Sequence, residues 1–256
     1  MMGRLLVVDV GNTATSIGLF DVPSKSNNPA PRSVWTVGTP DILKGRSFSG
    51  LRIPPVSGAV VSSVVPRVDR ALERAIKKKF HISAIFVSSR TRSRVSVKYR
   101  TPSEVGADRI VNARAAMALW PKRPSIVIDF GTATTFDCVT AGGAYLGGVI
   151  APGPVISAEA LYNKTAKLPM VLLKKPVLIL GRNTLESIQA GLYHGYRGLV
   201  KEIVARLRKR MGPRTKVMAT GGQAHWILKD VTGVDQHVPH LTLLGLFHMW
   251  NDSRVM

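Results

Sequence analysis

Apolar positions along the chain fall into two kinds of run. Short continuous runs bounded by Gly, Pro or polar clusters predict buried strands, and runs recurring every three or four residues predict helices. Leu6–Phe20 reads as a hairpin, and residues 22–33 (VPSKSNNPAPRS) as a turn-rich connector. Gly58–Val65 has the composition of a buried strand. Val68, Ala71, Leu72, Ala75 and Ile76 recur at helical spacing and predict a helix over Pro66–Lys79. Ala84–Val87 reads as a strand, and the basic, alternating Arg90–Arg100 as a solvated strand or a loop. Thr101-Pro102-Ser103-Glu104 predicts a helix start, with Thr101 as N-cap and Glu104 closing a capping box. Gly106, Ile110, Ala113, Met117 and Trp120 share its inner face, and Pro121–Pro124 ends it.

The second half repeats the plan. Ser125–Val139 reads as a hairpin, Ala144–Ile150 as a third strand, and a helix follows Pro152-Gly153. Asn183 starts another helix, with Glu186 as a capping box and Leu185, Ile188, Leu192, Tyr196 and Leu199 on its apolar face. Lys216–Thr220 is a strand running into Gly221-Gly222 and a further helix. Alternating strands and helices imply α/β layers. Division near Pro121 gives an N-terminal domain of residues 1–121 and a C-terminal domain of residues 122–256.

One segment occurs twice. Leu6–Phe20 reads LVVDVGNTATSIGLF and Ile126–Val139 reads IVIDFGTATTFDCV, so that Asp9 matches Asp129, Gly11 matches Gly131 and Thr15 matches Thr135. A strand that ends in Asp before a small-residue turn can aim backbone N–H groups at a phosphate and a carboxylate at its metal ion. Two copies imply two similar half-domains around a nucleotide. That is the duplicated ribonuclease-H-like plan of the actin, hexokinase and sugar-kinase ATPases.

Composition narrows the partners. Thirty-six Lys and Arg against fifteen Asp and Glu give a formal charge of +21. The basic residues are spread over the polar sides of predicted helices, such as Arg70, Arg74 and Lys77–Lys79, without interleaved aromatic residues to stack bases. A generally basic surface that attracts anionic substrates is expected, and nucleic acid is not expected as a partner. No apolar run reaches the roughly 18 residues of a membrane span. Asp9 interrupts the N-terminal apolar run, and Cys138 is the sole cysteine, in a predicted core strand. A cytoplasmic protein without disulfides is expected. The six histidines lack zinc-site spacing, and no Walker-type or nucleophile-elbow motif occurs.

Seven segments in order resemble type III pantothenate kinases: VDVGNT (Val8–Thr13), EVGADRIVNA (Glu104–Ala113), IDFGTATTFD (Ile128–Asp137), GGVIAPG (Gly147–Gly153), TAKLP (Thr165–Pro169), GRNT (Gly181–Thr184) and ATGG (Ala219–Gly222). The resemblance implies ATP-dependent phosphorylation of pantothenate, the first step of coenzyme A synthesis, by a homodimer with its site at the subunit interface. It implies that Asp108 is the general base and that Tyr99, Gly106, Ala107, Arg109 and Thr184 meet pantothenate. It also implies that Thr132 contacts ATP and that Asp129 holds the required K⁺ or NH₄⁺. On their own chemistry, Asp9 can act on Mg²⁺, directly or through water, and the strand-and-turn residues Val10, Gly11, Asn12, Thr13, Ala14, Thr15 and Ser16 can contact ATP phosphates. Asp137 reads as a structural acceptor. Thr220-Gly221-Gly222 looks like the adenosine-side loop. Three features depart from the family pattern: Thr101 in place of Asn, a reduced acidic stretch at Thr39-Pro40-Asp41, and Leu244 in place of a basic residue. A reading from another class is a non-enzymatic nucleotide-binding regulator.

Overall fold

A computed structural model describes residues 3–24 and 26–255, so Lys25 of the connector lies outside the described residues. The chain forms two compact units. The first takes the chain up to Pro121, together with Gly143–Tyr145 and the residues from His240 onward; the second takes Lys122–Gly142 and Leu146–Pro239.

In the first unit, β1 (Gly3–Val10) and β2 (Ala14–Val22) form the antiparallel hairpin. β2 pairs antiparallel with β3 (Ser33–Gly38), while β4 (Gly58–Ser63) pairs parallel with β1 and with β5 (Ala84–Phe86). The sheet order is β3-β2-β1-β4-β5. A short helix α1 (Thr39–Leu43) follows β3, and α2 (Pro66–Phe80) crosses from β4 to β5. Leu6, Val8 and Val10 of β1 pack with Val68, Leu72 and Ile76 of α2 in one apolar cluster. Period-two alternation puts Leu5, Val7 and Asp9 on the opposite face.

In the second unit, β7 (Ser125–Phe130) and β8 (Ala133–Val139) repeat the hairpin. β9 (Ala144–Pro152) lies beside β8. β10 (Lys216–Thr220) pairs parallel with β7 and with β11 (Gln236–His237). The order β9-β8-β7-β10-β11 reproduces that of the first sheet, element for element. Helices α4 (Pro154–Lys164), α5 (Thr184–Met211) and α6 (Ala224–Ile227) complete it. Ile126, Ile128 and Phe130 pack with Ile188, Leu192, Tyr196 and Val200 of α5, and Cys138 is buried in the same cluster. Asp129 therefore stands on the face opposite this cluster, as Asp9 does in the first unit.

Two expectations change, and a third resolves between its two readings. Thr101 makes no side-chain cap, and Pro102–Glu104 is only a 3-10 turn. The chain then extends to bury Val105, so helix α3 (Ala107–Leu119) starts behind Gly106. Leu185 is exposed, because α5 turns its apolar face inward only from Ile188. Arg90–Arg100 is mostly loop, with a two-residue strand β6 (Ser96–Val97) pairing with Ala144 and Tyr145 of β9.

The division expected at residues 121 and 122 differs from the observed one at the C-terminus. Helix α7 (Leu241–Val255) packs on β1 and α3 in the first unit. Leu243, Leu244, Leu246 and Phe247 are all buried, and Phe20 lies 5.2 Å from Phe247 by ring centroids. The α3–α7 contact also holds polar pairs. Thr242 Oγ1 donates to Asn112 Oδ1 at 2.9 Å, and Arg114 forks onto Asp252 at 2.7 and 3.0 Å. Breaking such a buried pair costs about 3–5 kcal/mol, whereas the exposed Arg206–Glu202 pair contributes well under ~1 kcal/mol.

At the same contact, a Cβ on Gly245 would lie 2.2 Å from the Val111 carbonyl oxygen. Gly245→Ala gains about 1 kcal/mol of helix propensity. The clash is with backbone, and overpacking of this kind costs about 1–3 kcal/mol. Gly245→Ala is therefore expected to lower the thermal midpoint by several degrees; an unchanged or raised midpoint would show that α7 sits further from α3.

Candidate active site

The repeated segments place their acids alike. Asp9 is the penultimate residue of β1 and Asp129 that of β7, both partly exposed at a strand end. Each hairpin closes through a glycine amide: Gly11 N donates to Ala14 O and Gly131 N to Ala133 O, both at 3.1 Å. The turns differ in length. Val10 pairs with Thr15, leaving Gly11–Ala14 between them, whereas Phe130 pairs with Thr134, leaving only Gly131–Ala133. Thr15 therefore corresponds to Thr134, both fully buried, and Ser16 to Thr135. The ungapped match of Thr15 with Thr135 is corrected by one residue.

In the first turn Asn12, Thr13 and Ala14 are exposed, and Gly11 and Ser16 partly so. Val10 and Thr15 are fully buried and support the turn from beneath. Thr39 fastens this turn. Its hydroxyl donates to Gly11 O at 2.7 Å and lies 2.9 Å from that of Thr15, and its amide donates to Thr13 O at 3.1 Å. Sequence reasoning saw Thr39 only as part of a reduced acidic stretch.

β4 brings further groups to the end of β1. Ser62 is in register with Asp9, and Val64 N donates to Val10 O at 3.1 Å. The buried Ser62 Oγ makes no hydrogen bond among the described residues. Val64 Cγ1 would stand 3.5 Å from a Cβ on Gly106. The start of α3 thus abuts Val64, the residue after β4, whose amide is bonded to the last residue of β1. A Cβ on Gly106 would also lie 2.5 Å from Asp108 Oδ1, so glycine leaves room for that carboxylate to fold back. Oδ1 accepts from Arg109 N at 2.8 Å, in the first turn of α3, where the helix dipole favours negative charge.

Ala107 and Arg109 are buried, and the Arg109 guanidinium lies over the Tyr145 ring at 5.8 Å. Tyr99, half-buried, meets the same ring at 6.4 Å. The fully buried Tyr145 joins the two segments, and nothing in its setting within AYLGG singled it out in the sequence.

In the second unit Gly221, at φ +97°, leaves β10 against Asp129. A Cβ there would sit 2.6 Å from Asp129 Oδ1 and 2.5 Å from Phe130 N. Thr132 is exposed, and its carbonyl accepts from Gly153 N at 2.9 Å. Asp137 is buried and accepts from Thr135 Oγ1 at 3.0 Å, consistent with a structural acceptor. Thr184 is exposed behind the N-cap Asn183, whose side chain accepts from Glu186 N at 2.9 Å. It lines an open groove of about 640 Å³ with Leu161, Leu168, Arg182 and Ile188.

Residues 5–206 match the family model for type III pantothenate kinase. The chain belongs to the type III pantothenate kinase family. A family member from Solibacter usitatus is 42% identical over 250 residues, covering 96% of this chain and 95% of its own. One from Dehalococcoides mccartyi is 39% identical over 256 residues, covering 96% of both. Two solved structures share the fold. A conserved Baf-family protein of Campylobacter jejuni gives a TM-score of 0.58 at 16% identity, covering 97% of this chain and 98% of its own. A ROK-family glucokinase from Streptomyces griseus, solved with glucose and AMPPNP, gives 0.53 at 13% identity, covering 95% and 98%. The fold is thus the two-half α/β fold of the sugar-kinase superfamily.

The His248 imidazole in α7 is lowered to about 4, first by burial and then by the charge of Arg114. The Tyr193 phenol in α5 is pushed up to about 12 by burial and by its hydrogen bond to the Asp230 carboxylate. Lys175 and that phenol hold Asp230 below its ordinary range. A raised phenol stabilises the fold while it is neutral. That contribution is complete below the ordinary pKa of 10.0 and is lost as pH rises through about 12. An ultraviolet phenolate titration is expected to show a late step that disappears in Tyr193→Phe; an unaltered curve would contradict this assignment.

Proposed function

We propose that the protein is a pantothenate kinase, transferring the γ-phosphoryl group of ATP to the pantothenate hydroxyl to give 4'-phosphopantothenate, the first step of coenzyme A synthesis. The observation that carries this reading is the packing of Gly106 and Asp108, at the start of α3, beside the ends of β1 and β4. One strand end offers turn amides to phosphates and a carboxylate to their metal ion, and the neighbouring helix start offers a base. A binding-only regulator has no need of that base.

Asp108 accepts the proton of the attacking hydroxyl. The transition state is loose, so the base is asked mainly to be in position. The exposed turn Asn12–Thr13 offers amides and a hydroxyl to the phosphates, and the family resemblance assigns Thr132 to ATP. Arg109 and Tyr99, joined through Tyr145, hold anionic pantothenate, with Gly106 and Ala107 as further contacts; Thr184 is assigned to pantothenate by the family resemblance alone. The oxygen donors at the first strand end fit Mg²⁺. Asp9 is a hard carboxylate, and the unsatisfied Ser62 Oγ in register with it can bind the ion's water shell. When bound, Mg²⁺ neutralises charge on the β- and γ-phosphates. Asp129, with carbonyl oxygens close by at Gly131 and Thr132, fits K⁺ or NH₄⁺.

We place this kinase in the cytoplasm as a homodimer. No described helix is long and apolar enough to cross a membrane. An apolar stretch is exposed at Leu172, Val177, Leu178, Ile179 and Leu180, beyond what soluble monomers ordinarily show. The α5 face at Gly191 and Gly195 is open beside Ile179 and Leu180, which suits a second copy of the chain.

Purified protein is expected to make phosphopantothenate from ATP in Mg²⁺ with K⁺ or NH₄⁺, but not with Na⁺ alone. Equal rates in Na⁺ would remove Asp129 from cation binding. Asp108→Asn should lower turnover at least ~10²-fold, the range for a lost general base, with ATP binding retained. Near-normal turnover in that variant would exclude Asp108 as the base. Ile179→Lys with Leu180→Lys should sediment as a monomer where the unaltered chain sediments as a dimer; an unshifted dimer would place the interface elsewhere.

A further inference from the structure

Asp252, in α7, is remote in sequence from every candidate residue, and its side chain is only 3% exposed. It joins two segments. Arg114 donates from Nε to Oδ2 at 2.7 Å and from Nη2 to Oδ1 at 3.0 Å. The Arg94 backbone amide donates to Oδ2 at 3.2 Å, and Arg94 Nε lies 3.5 Å from Oδ1.

Each segment leads to the pantothenate side of the site. Arg114 belongs to α3, whose first turn carries Asp108 and Arg109. Arg94 opens the extended stretch that ends at Tyr99. That stretch is clipped to the start of β9 by Ser96 N to Gly143 O at 2.9 Å and Lys98 N to Tyr145 O at 2.8 Å. The two segments meet again at the Tyr145 ring, which both Arg109 and Tyr99 approach. The contacts form a closed loop, with Asp252 at one corner and Tyr145 at the opposite one.

We propose that Asp252 is a positioning residue that sets the register of Tyr99 against Arg109. The proposal rests on the function proposed above. A strut between helices would need only Arg114. The bond to a main-chain amide does something else, because it fixes where the extended stretch begins. Two backbone clips alone specify register weakly, and a slip of one residue turns Tyr99 to the other face. The ATP-side candidates, Asp9–Ser16 of the first hairpin and Thr132, make none of these bonds. Loss of Asp252 should therefore weaken pantothenate binding selectively.

Asp252→Asn keeps the shape and removes the charge. The paired variant Arg114→Met with Asp252→Leu removes both buried charges, a swap that proteins tolerate well. In folded variants the KM for pantothenate is expected to rise about tenfold, the scale of one lost charge-assisted hydrogen bond. The KM for ATP and kcat should stay within about twofold, since uniform substrate binding alone is lost. Amide exchange at Ser96 and Lys98 should quicken at least ~tenfold as the clip loosens. Folded variants with the ordinary pantothenate KM and unchanged exchange would overturn the proposal. A parallel change in both KM values and kcat would do the same, as would failure of both variants to fold, which would assign Asp252 to the fold alone. The exchange measurement does not depend on turnover. An unaltered protein that makes no phosphopantothenate would refute the proposed function, while faster exchange in the variants would still support the anchor.

Discussion

An acid in a strand buried on both faces needs either a bonded partner, as Asp137 has in Thr135, or a place at the strand end. Leu5–Val8 of β1 and Ile126–Ile128 of β7 are wholly excluded from water. Helices cover one side of each strand, and α7 covers the other side of β1. An Asp in mid-strand would be buried without solvation, at a cost of several kcal/mol. At the penultimate position it keeps water on one side and the amides of a tight turn ahead. Asp9 and Asp129 occupy that position. Ser62, Thr220, the start of α3 and the Gly221 turn are arranged around the two strand ends.

Local signals were most legible where one physical rule governs. The hairpins, α2 and the Asn183–Glu186 cap follow from apolar runs, helical spacing and a side chain within reach of a free amide. The acids were visible because the segment occurs twice. The length of the turn was not. Comparing the two copies without a gap put Thr15 opposite Thr135, and a single extra residue moves every later side chain to the opposite face. Pairing distances settle this, and a string of letters does not contain them.

Long-range packing was the least legible. Thr101-Pro102-Ser103-Glu104 has every local mark of a helix start, but burying Val105 outweighs the cap, whose worth is about 1 kcal/mol. Helix α7 is apolar nearly all round, so no stripe indicates which half of the chain it covers. Tyr145, Thr39 and Asp252 have ordinary sequence settings. Their roles come from partners 24 to 158 residues away in sequence, such as Thr15 for Thr39 and Arg94 for Asp252.

The return of α7 to the first unit has a consequence during synthesis. β1 leaves the ribosome long before α7, and one of its faces stays uncovered until the helix beginning at Leu241 has emerged. The second unit, made from an almost unbroken run of chain, has all its parts before then. At roughly 5–20 residues per second, β1 waits on the order of 10–50 s for its cover. The half translated first is therefore the half completed last, and its apolar strand is the part of the nascent chain most in need of a chaperone.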